Sequence, residues 1–167
     1  MTTTSTYNFT FTETAVYLAD VILGSVADVV AALGLSPATS ATRVQQDETA
    51  IIQWIKEKSL DAVVLEFTDS RGIAVEVFEF DVVYKPYGDA DSEFYADRAS
   101  LARYRAKLKQ LPSGTTWRLV CTYRTAHTTM PGWTSTTRAS TDGMRSTTFG
   151  TLGAGPGASS TLRRHSR

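Results

Sequence analysis

Apolar residues recur along the chain with periods that change from segment to segment. Tyr7, Phe9 and Phe11 alternate with polar residues, which predicts a short half-buried strand. Thr10 and Glu13 then stand at capping-box spacing, with Thr12 and Thr14 as rival N-cap residues, and a helix is predicted from Ala15 to Leu33. Its apolar residues run almost all round and leave one polar or small stripe of Asp20, Gly24 and Asp28, so protein must enclose it. Gly34 and Pro37 end it. A second helix is predicted over residues 45–59, with Ile51, Trp54 and Ile55 inward and Lys56, Glu57 and Lys58 outward.

The period then shortens. Residues 62–67 (AVVLEF), the turn Asp69-Ser70-Arg71-Gly72 and residues 73–85 (IAVEVFEFDVVYK) predict a β-hairpin. Its second strand carries two apolar phases, Val75/Val77 and then Phe78/Phe80/Val82/Tyr84, which predicts a bulge near Val77 or burial on both faces. A third helix is predicted over 92–111, capped by Ser92, with Arg98, Arg103, Arg105, Lys107 and Lys109 on its basic side. A strand at 115–125 follows, with Trp117, Leu119, Cys121 and Tyr123 on one face and Arg118, Val120 and Thr122 on the other. The order β-α-α-β-β-α-β predicts an α+β fold, three helices packed on a small antiparallel sheet.

Length and composition narrow the classes. The 167 residues fit a single domain, and 17 Lys+Arg against 17 Asp+Glu argue against direct nucleic-acid binding. One cysteine excludes a disulfide framework and a Cys-rich zinc site. Asp20 and Asp28 interrupt the best apolar run, which argues against a membrane span, and MTTTSTYNFTFTE has none of the features of a signal peptide. A cytoplasmic protein is expected. The zero net charge hides an asymmetry: residues 1–125 hold 12 Lys+Arg and 16 Asp+Glu, while residues 126–167 hold five Arg and one Asp. That C-terminal stretch also holds ten Thr, six Ser and six Gly.

No reaction assembles from the reactive side chains. Cys121 sits in an apolar alternation and reads as a buried structural thiol; His127 and His165 lack metal-ligand spacing. GTLGAGPGASS (150–160) lacks the Gly-Lys-Ser/Thr ending of a phosphate loop and reads as an adaptable segment. Glu76, Glu79 and Asp81 line one strand without a nucleophile or metal partner. The expectation is a non-enzyme with no cofactor and no metal. Trp133, Phe149, Leu152 and Leu162 are spaced through the C-terminal stretch, with turn signals at PGW (131–133) and STDG (140–143). Such residues at such intervals suit a segment that can be ordered in more than one place.

YNFTFTETAVYLADVIL (7–23), the order of elements, and PGWTSTTRASTDGM (131–144) before a Gly-rich end together resemble the bacterial HORMA-domain proteins of cyclic-oligonucleotide (CBASS) anti-phage signalling. The resemblance implies one HORMA domain: an N-terminal handle and strand (1–13), a core (14–125) and a C-terminal safety belt (126–167). It implies a closure-motif peptide added as a strand to Trp117, Arg118, Leu119, Val120, Cys121, Thr122 and Tyr123, with a belt that crosses to pair with 73–85. Trp133, Phe149 and Leu152 would anchor the belt. It further implies a cGAS-like nucleotidyltransferase as partner and an AAA+ remodelling ATPase that grips Met1, Thr2, Thr3, Thr4, Ser5 and Thr6. Removal of 126–167 is expected to abolish peptide retention and leave the core folded. The basic end, Leu162 to Arg167, is left open between belt, disordered extension and a contact with the acidic core. The alternative reading is a structural or assembly protein with a disordered basic C-terminal arm.

Overall fold

A computed structural model describes residues 3–86 and 94–167, with side chains from residue 11 onward. Three helices and six strands follow in the order α1 (Thr3–Ala32), α2 (Ala41–Lys56), β1 (Leu60–Thr68), β2 (Ala74–Tyr84), β3 (Tyr95–Ala96), α3 (Arg98–Arg105), β4 (Thr116–Tyr123), β5 (Arg145–Gly155) and β6 (Ala158–Ser166). The strands form one antiparallel sheet ordered β3-β5-β6-β2-β1-β4. This is the expected α+β architecture, with a larger sheet.

Helix α1 is the centre of the core. Leu18, Ile22, Val29, Val30 and Leu33 are fully buried against α2 and the sheet. The strand expected at residues 7–11 is instead part of this helix. Three alternating positions also fit a helical repeat, because Tyr7, Phe11, Ala15, Leu18 and Ile22 stand three or four residues apart. Thr10, Thr12 and Thr14 are therefore interior to the helix, and the Thr14 hydroxyl donates to the Pro156 carbonyl at 2.7 Å. Asp20 and Asp28 do not exclude a span by length and composition, since Phe11–Ala32 is long and apolar enough, with a mean hydropathy of 1.8. Half of that window is buried within the protein, which accounts for its apolar character in this fold.

Helix α2 starts earlier than its apolar period, because the Ser40 hydroxyl caps it by accepting from the Arg43 N–H. Helix α3 is shorter than expected. After Arg105 the chain turns away, and the Leu111 N–H donates to the Leu33 carbonyl, so tertiary docking replaces the last helical turns. The proposed cap Ser92 lies outside the described residues; Asp97 caps the helix instead, accepting from the Ser100 N–H.

Strand β2 is both bulged and buried on two sides. Phe67 pairs with Glu76 but Thr68 pairs with Ala74, which leaves Val75 as the extra residue. Phe78, Phe80 and Val82 face the helices, while Val77 packs with Ala62, Val64 and Val120 on the opposite face. Residues 145–166 are not an arm. They form the β5–β6 hairpin, with β6 paired along β2 from Glu76↔Ser166 to Tyr84↔Ala158. GTLGAGPGASS supplies the facing strand ends and the turn of this hairpin. Leu152 and Leu162 are fully buried in the main core. Burying each contributes about 1.5–3 kcal/mol, so a chain cut at residue 125 would not keep this core intact.

Candidate functional site

Strand β4 pairs with β1 in continuous register from Ala62↔Thr122 to Thr68↔Thr116. It is a terminal strand of the sheet, and among the described residues no strand pairs with its other edge. Such an edge presents main-chain donors and acceptors in a row. Alternation sorts its side chains: Trp117, Leu119, Cys121 and Tyr123 turn toward the helices, and Val120 packs on the opposite face. The Trp117 indole N–H is tied to the Ser36 carbonyl at 3.0 Å. Burial pushes the Cys121 thiol far up, so it is not a thiolate nucleophile.

The chain leaving β4 passes around this edge. It begins on the helix side, where the Arg124 N–H donates to the Ser59 carbonyl and the Tyr123 and His127 rings stack 3.4 Å apart. The Trp54 indole N–H donates to the Thr128 carbonyl at 2.7 Å. Glu57, the last residue of the α2 cap, accepts from the Thr128 N–H at 2.9 Å and from its hydroxyl at 2.7 Å. Burial opposes ionisation of Glu57, but these bonds and those from Ser59 and Gln53 outweigh it and hold the carboxyl at about 2. A turn at Pro131-Gly132 then seats Trp133 edge-on against Trp54 at 5.2 Å, beneath the Arg43 guanidinium. Arg43 also donates to the Gly132 carbonyl at 2.6 Å.

From Trp133 the segment passes to the opposite face of the sheet, where charged side chains fasten it. Glu66 on β1 is 1% exposed and accepts from the Arg118 Nε at 2.6 Å and from the Ala139 N–H at 2.5 Å. Arg118 also donates to the Thr136 hydroxyl and the Thr137 carbonyl. Arg138 donates to Glu79 at 2.5 Å, and the His165 ring meets the same carboxylate at 2.9 Å. Burial resists ionisation of Glu79, but Arg138, His165 and Arg163 together hold its carboxyl below the ordinary value. Ala139 and Met144 cover the small apolar patch of Ala62, Val64, Val77 and Val120. Residues 124–144 thus encircle the free edge of β4, from α2 on one face to Glu66 and Glu79 on the other. Between edge and crossing lies a cavity of about 340 Å³, lined by Trp54, Leu119, Cys121, Tyr123, Met130 and Trp133 among others.

The sequence model of a family described as Bacterial HORMA domain 2 matches residues 1–165. The chain belongs to that family. No curated protein matches it by sequence. Its fold is similar to that of a chain in the crystal structure of a mitotic checkpoint complex, with a TM-score of 0.70 and 13% identity over 89% of this chain and 95% of that one. It is also similar to C. elegans HTP-1 bound to the HIM-3 closure motif, with a TM-score of 0.66 and 16% identity over 89% and 88% of the two chains. A third likeness is to the E. coli MS115-1 CdnC:HORMA-deltaN complex, with a TM-score of 0.58 and 11% identity over 93% and 89%. At these identities the structures share the fold.

Within this HORMA domain the three residues expected to anchor the belt occupy different places. Trp133 lies on α2 at the start of the crossing, Phe149 sits on β5 edge-on to Tyr104 at 5.7 Å, and Leu152 lies in the main core. Thr3, Thr4, Ser5 and Thr6 form the first turn of α1, while Met1 and Thr2 lie outside the described residues. Among the described residues no group of three or more His, Cys, Asp or Glu is placed to hold a metal ion. Sequence reasoning missed Glu66, Glu57 and Arg138. Glu66 left one signal, an acid inside the apolar run AVVLEF, since a carboxylate buried there needs donors.

Proposed function

We propose that this HORMA domain is a regulatory adaptor that captures a closure-motif peptide as an added strand on β4, beneath a safety belt formed by residues 126–167. In that closed state it activates a cGAS-like nucleotidyltransferase of a bacterial anti-phage (CBASS) system. The observation that carries the reading is the crossing of 124–144 around an unpaired sheet edge, because a strand seated there is held by main-chain pairing and by the loop that encloses it. The closure motif held by HTP-1 and the CdnC partner of the E. coli HORMA protein support the two halves of the reading. Trp133, Phe149 and Leu152 serve as belt anchors, and an AAA+ ATPase engages Met1–Thr6 to reopen the domain.

The test is a display screen of random peptides against the full-length protein, followed by dissociation kinetics of a selected peptide. Slow release that accelerates when Arg138→Ala and Glu57→Gln loosen the two ends of the crossing supports the belt. Failure to select any peptide, or release unaffected by both substitutions, refutes it. Added to a CdnC-type synthase, the protein with its selected peptide should raise nucleotide product; an unchanged rate refutes the activation step.

A further inference from the structure

The geometry points to a size-selective subsite at Cys121 that takes one large uncharged apolar side chain of the bound strand. This rests on the strand-addition reading and specifies its ligand.

On the helix-facing side of β4, Cys121 is the small residue between Leu119 and Tyr123. The alternation leaves a notch there, and the cavity of about 340 Å³ opens beside it. A strand added to the edge brings its residues directly opposite those of β4, with Cβ atoms about 4.5–5.5 Å apart. The residue facing Cys121 therefore points into the cavity. Trp54 lies at its base, and Met130 and Trp133 close it from the crossing segment. Trp54 cannot move aside freely, because its indole N–H is held by Thr128 and its ring meets Tyr123, His127 and Trp133 edge-on.

Chemistry defines the occupant further. None of the lining residues is Asp, Glu, Lys or Arg. A charged side chain inserted there would lose hydration against a neutral lining, and the Arg43–Asp47 pair whose charges reach Cys121 is already closed on itself at 2.8 Å. An apolar one gains burial, and Met130 adds an adaptable thioether wall. Pairing a large side chain with a small one across the strands fills the layer at native density. The bound peptide thus carries one residue of Leu, Met or aromatic size opposite Cys121, with uncharged chemistry at that position.

The same random display library is selected against full-length protein carrying Cys121, Cys121→Leu and Cys121→Ala, with thermal melts to verify folding. The native protein should enrich one bulky apolar position. Cys121→Leu should shift it to a smaller residue and weaken the native consensus peptide by about 5- to 150-fold, the range expected for an overpacked site. Cys121→Ala, which cannot overpack, keeps or enlarges the preferred residue. Met130→Ala supplies the same comparison if Cys121→Leu fails to fold: a widened cavity should admit a larger residue. Peptides that bind but carry a charge at that position, or show the same preference in every variant, overturn the subsite and leave strand addition standing. Failure of every variant to select a peptide overturns strand addition itself.

Discussion

Glu66→Ala tests whether the crossing segment is fastened by its buried carboxylate. Glu66 holds two groups at once, the Arg118 guanidinium and the Ala139 N–H. A hydrogen bond to a charged group contributes about 1.5–3 kcal/mol, and the Ala139 N–H loses its acceptor outright. Arg118 is 47% exposed and regains water, so its share is discounted to about 0.5–1 kcal/mol. Together these give about 2–4 kcal/mol, or roughly 30- to 1,000-fold in the opening equilibrium of the crossing. The assay is native-state hydrogen exchange at Ala139 and Ser140, with the β1–β2 amides of Val64 and Phe80 as internal reference. Protection should fall by that factor at Ala139 and much less at the reference amides. Glu66→Gln keeps an acceptor and should fall between. Loss of less than about threefold at Ala139 in the alanine variant would falsify the fastening role.

Two further outcomes follow from the same segment. Gly132 has φ +84°, and a Cβ there would land on the Gln46 side-chain amide. Gly132→Ala should therefore cost about 1–2 kcal/mol of backbone strain and lower the melting temperature by about 2–8 °C. Adding Gln46→Ala removes the contact and leaves the backbone part, so full recovery in the double variant would refute the φ argument. Glu57 has its folded-state carboxyl at about 2, below the ordinary value of 4.5, so its contribution is fully present above 4.5 and is lost as pH falls toward 2. Exchange protection at Thr128 should decline across that window in the native protein and lose this dependence in Glu57→Gln; the same decline in both would show that Glu57 is not the titrating group.

The elements legible in the sequence are those whose partners are local or whose period is long. The hairpin turn at Asp69–Gly72, the apolar alternation of β4 and the all-round apolar α1 each announce themselves within their own residues. Residues 7–11 mislead because three positions satisfy two periods at once, and only the continuation into Ala15 and Leu18 decides between them. Leu108 and Leu111 keep helical spacing beyond α3, yet the Leu111 N–H is taken by the end of α1, a long-range contact that no local period records. β5 and β6 are rich in Thr, Ser and Gly, and their strand character comes from the β2 edge that β6 pairs with. The encircled edge was legible as an apolar strand; the residues that fasten the crossing were not, because Glu57 and Glu66 meet Thr128 and Ala139 of the crossing more than 70 positions along the chain.

The charge asymmetry carries the most distant information. Read alone, Glu76, Glu79 and Asp81 resemble a cluster of carboxylates awaiting a substrate. In the fold each is claimed by the C-terminal stretch: Arg164 grips Glu76 through two bonds of 2.6 and 2.9 Å, Arg163 meets Asp81 at 2.6 Å, and Arg138 and His165 share Glu79. Arg163 and Arg164 are adjacent, so β6 points them to opposite faces, one toward Asp81 and Glu79 and the other over Phe78 toward Glu76. Leu162 shares the core face with Arg164. A slip of one residue in β6 would carry Leu162 out of the core and exchange the two arginines between faces, breaking the pairs that Arg163 and Arg164 make. The basic end is thus the register key of the β2–β6 pairing, a contact with the acidic core. Three of the five arginines after residue 126 pair with acids of β2, so part of the charge asymmetry is an intramolecular complementarity divided along the chain.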